Sequence, residues 1–245
     1  MKHSISAIVP VYNEVGLVAS SLGAIDRVLQ STFDDYEIVV VESGSTDGTA
    51  DACDDAAKRF PHVRIVHEGA RRGYGSALRL GMARSTKELI TFVTLDLPFD
   101  LATIGRAVPL LERADCVLSY RPGDPRGAGR RWQSIIYRGL LRLALGIRAR
   151  NVNSSFKLLK RSTLEGIALR STGWFIDAEL VYWLERRGTS YIEIPVPLLD
   201  RTAGRSTVRL GTWLEVLGEL VKFVVGRRRT PPAGGARESS HLPIE

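Results

Sequence analysis

Apolar and polar positions follow two alternating rhythms through the first half of the chain. Short apolar runs occur at Ile5–Val11, 37–41, Val63–His67, 89–95 and Cys116–Tyr120. Between them, residues 15–30, 47–60 and 101–113 repeat apolar side chains at three- and four-residue intervals. A further helical stretch runs from the Gly73-Tyr74-Gly75 turn to about Ser85. A run with period two or none predicts a strand, and a period near 3.6 predicts a helix lying on a core. Strands alternating with helices of this length predict βαβ units, an α/β fold and a parallel sheet. Such sheets bind ligands beyond the carboxyl ends of their strands, which singles out the loops at 12–14, 42–47 and 96–100.

The second half is patterned differently. Residues 121–131 are rich in Gly, Pro and Arg and read as a loop. Residues 132–146 place Ile135, Ile136, Leu140, Leu143 and Ala144 on one stripe, with Arg138 and Arg142 between them. That spacing predicts an amphipathic helix with a basic edge. Another helix is expected at 177–187, a strand at 191–194, and an amphipathic helix at 213–225 closed by Arg227-Arg228-Arg229. From Thr230 the composition of Pro, Gly and Ser predicts a disordered tail. These boundaries divide the chain into a main domain over 1–210 (halves 1–120 and 121–210), a C-terminal amphipathic helix over 211–229 and a tail over 230–245.

Composition narrows the picture. The chain has 245 residues and a formal charge of +7, enough to bury a core without covalent staples. The charge is concentrated: residues 1–119 carry a net −4, residues 120–161 a net +10 and residues 162–245 a net +1. Of the 34 basic residues, 28 are Arg, the side chain whose planar fork matches phosphate bidentately. Two cysteines, Cys53 and Cys116, cannot build a disulfide framework and read as buried thiols. No signal peptide or membrane-spanning run of ~20 apolar residues is expected. The expected location is cytoplasmic, with peripheral attachment at the inner membrane face. His3, His62, His67 and His241 lack metal-ligand spacing and read as non-catalytic.

Four local patterns carry candidate chemistry. Val9-Pro10-Val11-Tyr12-Asn13-Glu14 runs a strand into a polar turn. Val41-Glu42-Ser43-Gly44-Ser45-Thr46-Asp47-Gly48-Thr49 ends a strand in an acid, then opens a helix with small residues that let a ligand approach the backbone. Val93-Thr94-Leu95-Asp96 closes a strand in an acid, and Asp200-Arg201 precedes Gly204-Arg205-Ser206. Asp47 reads as a helix cap or turn residue. A bare Gly73-x-Gly75 is as much a turn before a helix as a phosphate loop. The tryptophans read as core or interface anchors, with Trp174 the one to test as a sugar platform.

Taken together, these blocks resemble the family 2 glycosyltransferases of the GT-A nucleotide-sugar fold. Pro10, Tyr12, Asn13 and Glu14 stand in the family's P-x-Y-N-E, and Ser45–Thr49 in its S-T-D-G-T. Farther on, the blocks at 151–157, 173–179 and 200–206 resemble the polyprenyl-phosphate branch typified by dolichol-phosphate mannosyltransferase. The resemblance covers about residues 4–225. It implies a mostly parallel central sheet with flanking helices. It also implies that Pro10, Tyr12, Glu14, Glu42, Ser43, Thr94 and Asp96 bind the donor. Asp96 stands at the last carboxylate of the D-x-D motif, so it would hold Mg²⁺ or Mn²⁺ and serve catalysis. Arg121, Arg131, Arg138, Lys157, Arg201, Arg205 and Ser206 are the implied ligands of donor or acceptor phosphates. Asp177 and Glu179 are the carboxylates of the acceptor half and the candidate catalytic bases were the acceptor a hydroxyl.

Departures from the family pattern are specific. Its paired acids are here Glu42-Ser43, its D-x-D is Thr94-Leu95-Asp96, and Pro98 replaces a residue with a side-chain oxygen. Ser155 stands in the block at Ser154-Ser155-Phe156-Lys157 where the family has Gly, and Ser206-Thr207 replaces Ser-Lys. Mg²⁺ takes few protein carboxylates and completes its shell with phosphate and water. The expected metal site is therefore weak and donor-dependent, with arginines sharing the diphosphate's charge. The expected reaction moves a sugar from a nucleoside diphosphate to a polyprenyl phosphate or related phosphorylated acceptor in one displacement. The alternatives are a small soluble acceptor, such as a nucleoside or natural-product intermediate, or a catalytically impaired nucleotide-sugar binder. The basic block fits phosphate and anionic-membrane contact, and no nucleic-acid partner is expected.

Overall fold

The computed structural model describes residues 3–122, 128–199, 210–227 and 241–242. In chain order the elements are β1 (Ile5–Val11), α1 (Val15–Thr32), β2 (Tyr36–Glu42), α2 (Thr49–Arg59), β3 (Val63–His67), α3 (Tyr74–Arg84), β4 (Leu89–Phe92) and α4 (Ala102–Ala107). They continue with β5 (Cys116–Tyr120), α5 (Ala128–Leu145), β6 (Lys157–Lys160), α6 (Ile176–Arg186), β7 (Tyr191–Pro195), α7 (Leu210–Arg227) and β8 (His241–Leu242). The strands form one sheet in the order β3-β2-β1-β4-β6-β5-β7-β8.

Pairing is parallel except at β6, which runs antiparallel to both β4 and β5. β1 is buried along its whole length, as expected for a central parallel strand covered on both faces. One apolar layer joins α1, α2 and α4 to the sheet through residues such as Leu22, Ile25, Ile38 and Ile104. The other joins α3, α5, α6 and α7 through Leu78, Leu141, Phe175, Val181 and Leu220. Gly81 lets α3 lie against β1, because a Cβ there would collide with the Ile8 side chain. Cys53 and Cys116 are buried and reduced, and burial pushes each thiol up to about 12.

Several elements differ from the sequence expectation. β4 ends at Phe92 rather than residue 95, and the chain then leaves the sheet. Val93 N–H still donates to the Ile8 carbonyl at 3.0 Å, after which Leu97 turns at a left-handed φ of 42°. The helix expected over 101–113 splits into α4 and a 3-10 segment, Val108–Glu112, containing Pro109. Proline has no N–H for an α-helical bond and its ring crowds the preceding turn. β6 has only four residues, the first and last of them lysines, and carries no strand pattern of its own. The tail expected to be disordered contributes β8, parallel to Tyr191 and Ile192.

The stripe expected to bury α5 is divided. Tyr137, Leu141 and Leu145 face the core, whereas Ile135, Ile136 and Leu143 face outward, Leu143 at 88% exposure. In α7 likewise, Val216 and Leu220 are buried while Leu217, Val221 and Val225 are exposed.

Candidate functional site

The donor-side residues gather where β1, β2 and β4 end. β2 pairs with β1 through Val11 and Glu42, so the polar turns that follow lie side by side. Asn13 adopts φ 53°, a conformation that Asn tolerates better than most residues. Its side-chain oxygen accepts from Thr46 N–H at 2.8 Å, and its own N–H donates to Ser45 Oγ at 3.0 Å. Glu14 N–H donates to Thr49 Oγ1 at 2.9 Å. Asp47 accepts from Thr49 N–H at 3.1 Å as a turn residue, the N-cap of α2 being Gly48. These bonds staple the turn after β1 to the one after β2. Pro10 is buried within β1, and Tyr12 lies in the turn beyond it. The Arg71 guanidinium carbon sits 4.4 Å from the centroid of the Tyr12 ring.

Glu42 is nearly fully buried. Its Oε1 accepts from Ser45 N–H at 2.6 Å, and its Oε2 lies 3.3 Å from His67 Nδ1. Burial pushes the carboxyl upward, but bonds from the Ser45 amide and hydroxyl, from His67 and from the Gly44 amide more than offset it. Its affinity for a proton is therefore lowered and it stays ionised. His67 bridges to Asp54 Oδ1 at 3.0 Å, and bonds to Asp54 and Glu42 raise its pKa above 6.5. His67 was expected to be idle; it is the register partner of Glu42 between β2 and β3. Ser43, where the family has its second acid, donates to Glu68 Oε2 at 3.0 Å. Glu68 thus brings a carboxylate back beside position 43 from β3's trailing loop.

Asp96 follows β4 and is half-buried, with Thr94 Oγ1 donating to its Oδ1 at 2.5 Å. Tyr74 links the two halves of the site. Burial, and then the nearby carboxylates of Asp177 and Asp96, hold its phenol well above its ordinary range. Its ring stacks on Trp174, with centroids 4.5 Å apart and planes at 18°. Asp177 forms an ion pair of 2.8 Å with Lys157 Nζ, and Lys157 also donates to the Ser154 carbonyl at 3.0 Å. Lys157 was expected among the phosphate ligands. It is buried as the counter-charge of Asp177, because β6 points it inward beneath α6.

Glu179 was, with Asp177, a candidate base for a hydroxyl acceptor. Instead it is fully buried, and its two oxygens accept from Arg170 N–H at 2.9 Å and Ser171 N–H at 2.7 Å. Both oxygens are committed to the loop before α6, and its role there is structural. The Gly73-x-Gly75 pair also serves this loop. A Cβ at Gly73 would collide with the Thr172 carbonyl oxygen, and one at Gly75 would meet the Gly173 oxygen at 2.7 Å. The glycines permit close backbone approach.

Arg121 Nη2 donates to the Asn153 carbonyl at 3.2 Å, and exposed Arg138 reaches the Arg150 carbonyl at 3.4 Å. Arg131 lies on α5, and its side chain is outside the described residues. Arg201, Arg205 and Ser206 also lie outside the described residues. Among the described residues no group of three or more His, Cys, Asp or Glu could hold a metal ion. Were a divalent ion held at Asp96, diphosphate and water would supply most of its shell. That donor set fits a magnesium-type ion carried with its nucleotide.

A mostly parallel sheet, acids at the strand ends and a second half closing over them define a GT-A fold. The solved structures agree. The chain aligns with glucosyl-3-phosphoglycerate synthase from Mycobacterium tuberculosis, bound to Mn²⁺, UDP and phosphoglyceric acid, at TM-score 0.69 and 18% identity. That match covers 98% of this chain and 89% of the other. It also aligns with a mannosyltransferase from Pyrobaculum calidifontis bound to GDP-Man and Mn²⁺, at TM-score 0.65 and 23% identity, over 96% and 66% of the two chains.

The sequence profile of glycosyl transferase family 2 matches residues 6–169, and the chain belongs to that family. It is 26% identical over 227 residues to undecaprenyl-phosphate mannosyltransferase of Micrococcus luteus, covering 87% of this chain and 89% of the relative. It is 23% identical to dolichol-phosphate mannosyltransferase of Pyrococcus furiosus, over 90% of this chain and 63% of that one. It is thus an enzyme of glycosyl transfer whose relatives include polyprenyl-phosphate mannosyltransferases, and a divalent metal is the cofactor its fold relatives carry.

Proposed function

We propose that the protein transfers a hexose from a nucleoside-diphosphate sugar to the phosphate of a polyprenyl phosphate. The observation that carries the acceptor is the match to the Micrococcus luteus enzyme, which spans nearly the whole of both chains. In this reading Tyr12, Glu14, Glu42 and Ser43 bind the nucleoside, and Pro10 shapes the pocket floor. Glu42, ionised and rigidly held, accepts hydrogen bonds from base or ribose. Asp96 and Thr94 face the diphosphate. Asp96 would hold Mg²⁺ or Mn²⁺, which as a Lewis acid stabilises charge on the departing diphosphate.

A phosphate acceptor is already anionic at neutral pH, so no side chain need take a proton from it. Attack of its oxygen on the anomeric carbon breaks the bond to the diphosphate, which leaves as nucleoside diphosphate. Arg121 and Arg138, with Arg131, Arg201, Arg205 and Ser206, are proposed to hold the phosphates. Asp177 is the α6 carboxylate whose charge, with that of Asp96, acts on Tyr74. With Lys157 as its partner it shapes the acceptor side. Were the acceptor a hydroxyl, Asp177 rather than Glu179 would be the base.

Peripheral attachment to an anionic membrane belongs to the same reading. Exposed Ile135, Ile136 and Leu143 share α5 with exposed Arg138 and Arg142. An outward apolar strip flanked by arginines suits an interfacial helix. No helix among the described residues is long and apolar enough to cross a membrane.

A second reading has its own support. The solved structure bound to phosphoglyceric acid aligns over 98% of this chain, so a small phosphorylated acceptor fits the same fold. Nucleoside diphosphate release from GDP-mannose and UDP-glucose, with and without Mn²⁺, separates an enzyme from an impaired binder. Adding undecaprenyl phosphate or phosphoglyceric acid separates the two acceptors. Release stimulated by the lipid phosphate supports the first reading, and release stimulated only by the soluble acid replaces it with the second.

A further inference from the structure

The loop before α6 is held from three sides by groups distant in sequence. Glu179 accepts from the amides of Arg170 and Ser171. Ser76 N–H donates to the Thr172 carbonyl at 3.2 Å, and Arg79 Nη1 to the Arg170 carbonyl at 3.1 Å. The third side is α7: Glu219 Oε1 accepts from Gly173 N–H at 2.9 Å, and Oε2 from Phe175 N–H at 3.1 Å. Trp174 lies between those two amides, stacked on Tyr74. A Cβ at Gly173 would meet Glu219 Oε2 at 2.7 Å and push the carboxylate aside. Below the latch, Phe223 packs on Phe175 and Tyr182 with ring centroids 5.4 and 5.1 Å away.

We propose that Glu219 is a positioning residue for the acceptor side: it latches the segment carrying Trp174 to α7. The seat of that helix then sets where Trp174, and Asp177 in the first turn of α6, stand relative to Asp96. The inference rests on the proposed reaction, in which Asp177 shapes the acceptor side, and it adds Trp174 to that side. α7 carries the exposed apolar residues Leu217, Val221 and Val225. Whatever shifts α7 therefore moves the acceptor loop through one carboxylate. Charge on that carboxylate suits the place, because Phe175 is the N-cap of α6 and the N-terminal end of a helix favours an anion.

The test compares the full-length wild type with E219A, G173A and the double variant. Amide hydrogen exchange is read at positions 173 and 175, with Arg170 and Ser171 as internal controls. G173A keeps α7 intact and displaces only the movable end of Glu219, so it guards against a simple loss of folding. Each single variant is expected to speed exchange at positions 173 and 175 while leaving 170 and 171 protected. With undecaprenyl phosphate in detergent micelles, each should raise the acceptor KM roughly tenfold or more, because small misplacements near reacting groups are costly. Donor KM should stay unchanged. The double variant should be no worse than E219A, since both changes break one contact.

Unchanged exchange at 173 and 175 in E219A overturns the latch. Effects on acceptor KM that multiply in the double variant, or donor KM rising in parallel, overturn its role in positioning. If the wild type transfers nothing to undecaprenyl phosphate, the acceptor reading itself falls, while exchange still decides the latch.

Discussion

Glu42 and His67 form a charged pair whose consequences are readable at single-residue scale. His67 is held above its ordinary 6.5 by Asp54 and Glu42. A group with a raised folded-state pKa stabilises the fold fully below its unfolded value, and that contribution disappears as pH rises through the folded value. Glu42 is shifted down from 4.5, so its contribution is present above that value and lost as pH falls through the lowered one. Melting temperature measured against pH should therefore decline on the alkaline side of about 6.5 in the wild type. In H67A that part of the decline should vanish; an identical profile in the two proteins would remove the pair from the account.

Asp96→Ala should reduce turnover by roughly 100-fold or more, the usual scale for losing one electrostatic group at a reacting centre. Melting should be little altered. Normal turnover in that variant would take Asp96 out of the diphosphate site. Glu42 stands where the sequence put it, at the end of β2, whereas Asp96, expected to close a strand, lies in the turn beyond β4. His67 and Glu68 were not legible in the sequence. Their place opposite Glu42 and Ser43 exists only once β2 and β3 are in register, and no local spacing announces that.

Among the elements, the loop before α6 shows how much tertiary structure can change a motif's meaning. Gly73-x-Gly75 has the outline of a phosphate loop, yet its glycines clear space for the carbonyls of residues 171–173. Gly75→Ala would place a Cβ 2.7 to 2.8 Å from backbone oxygens, which cannot swing away as a side chain can. It should cost about 1–3 kcal/mol, the usual penalty for overpacking, and lower the urea midpoint. An unaltered midpoint would show that the loop yields. Glu179→Ala should cost more than a typical surface change, because it strands two amide donors at about 1–3 kcal/mol each. The alternation of strands and helices up to residue 120 was legible because each run is long and consistently patterned. β6 was not, with only four residues, the first and last of them lysines. The break at Pro109 was legible in principle, but the apolar spacing on either side outweighed it.

For the whole molecule, the separation of charge first seen along the sequence acquires a location. Exposed Arg138, Arg142, Arg148 and Arg150 lie on or just after α5, the helix that turns Ile135, Ile136 and Leu143 outward. Sequence periodicity placed those apolar residues on one stripe but could not tell which part of it would find a partner. Binding to vesicles containing anionic lipid should be measurable by sedimentation and should weaken as salt rises, since exposed charges are screened. The double change R138E/R142E should weaken it further. Equal binding to neutral and anionic vesicles, unaffected by salt, would argue against an electrostatic membrane face.

The acids at the strand ends, the arginine-rich second half and the family relationship meet in a single reaction. The most direct test supplies GDP-mannose or UDP-glucose, Mn²⁺ and undecaprenyl phosphate, and follows both nucleoside diphosphate and lipid-linked sugar. The account predicts that the two products appear in equal amounts, depend on the lipid phosphate and disappear in Asp96→Ala. Nucleoside diphosphate released at the same rate without the lipid, with no sugar recovered on it, would contradict the account.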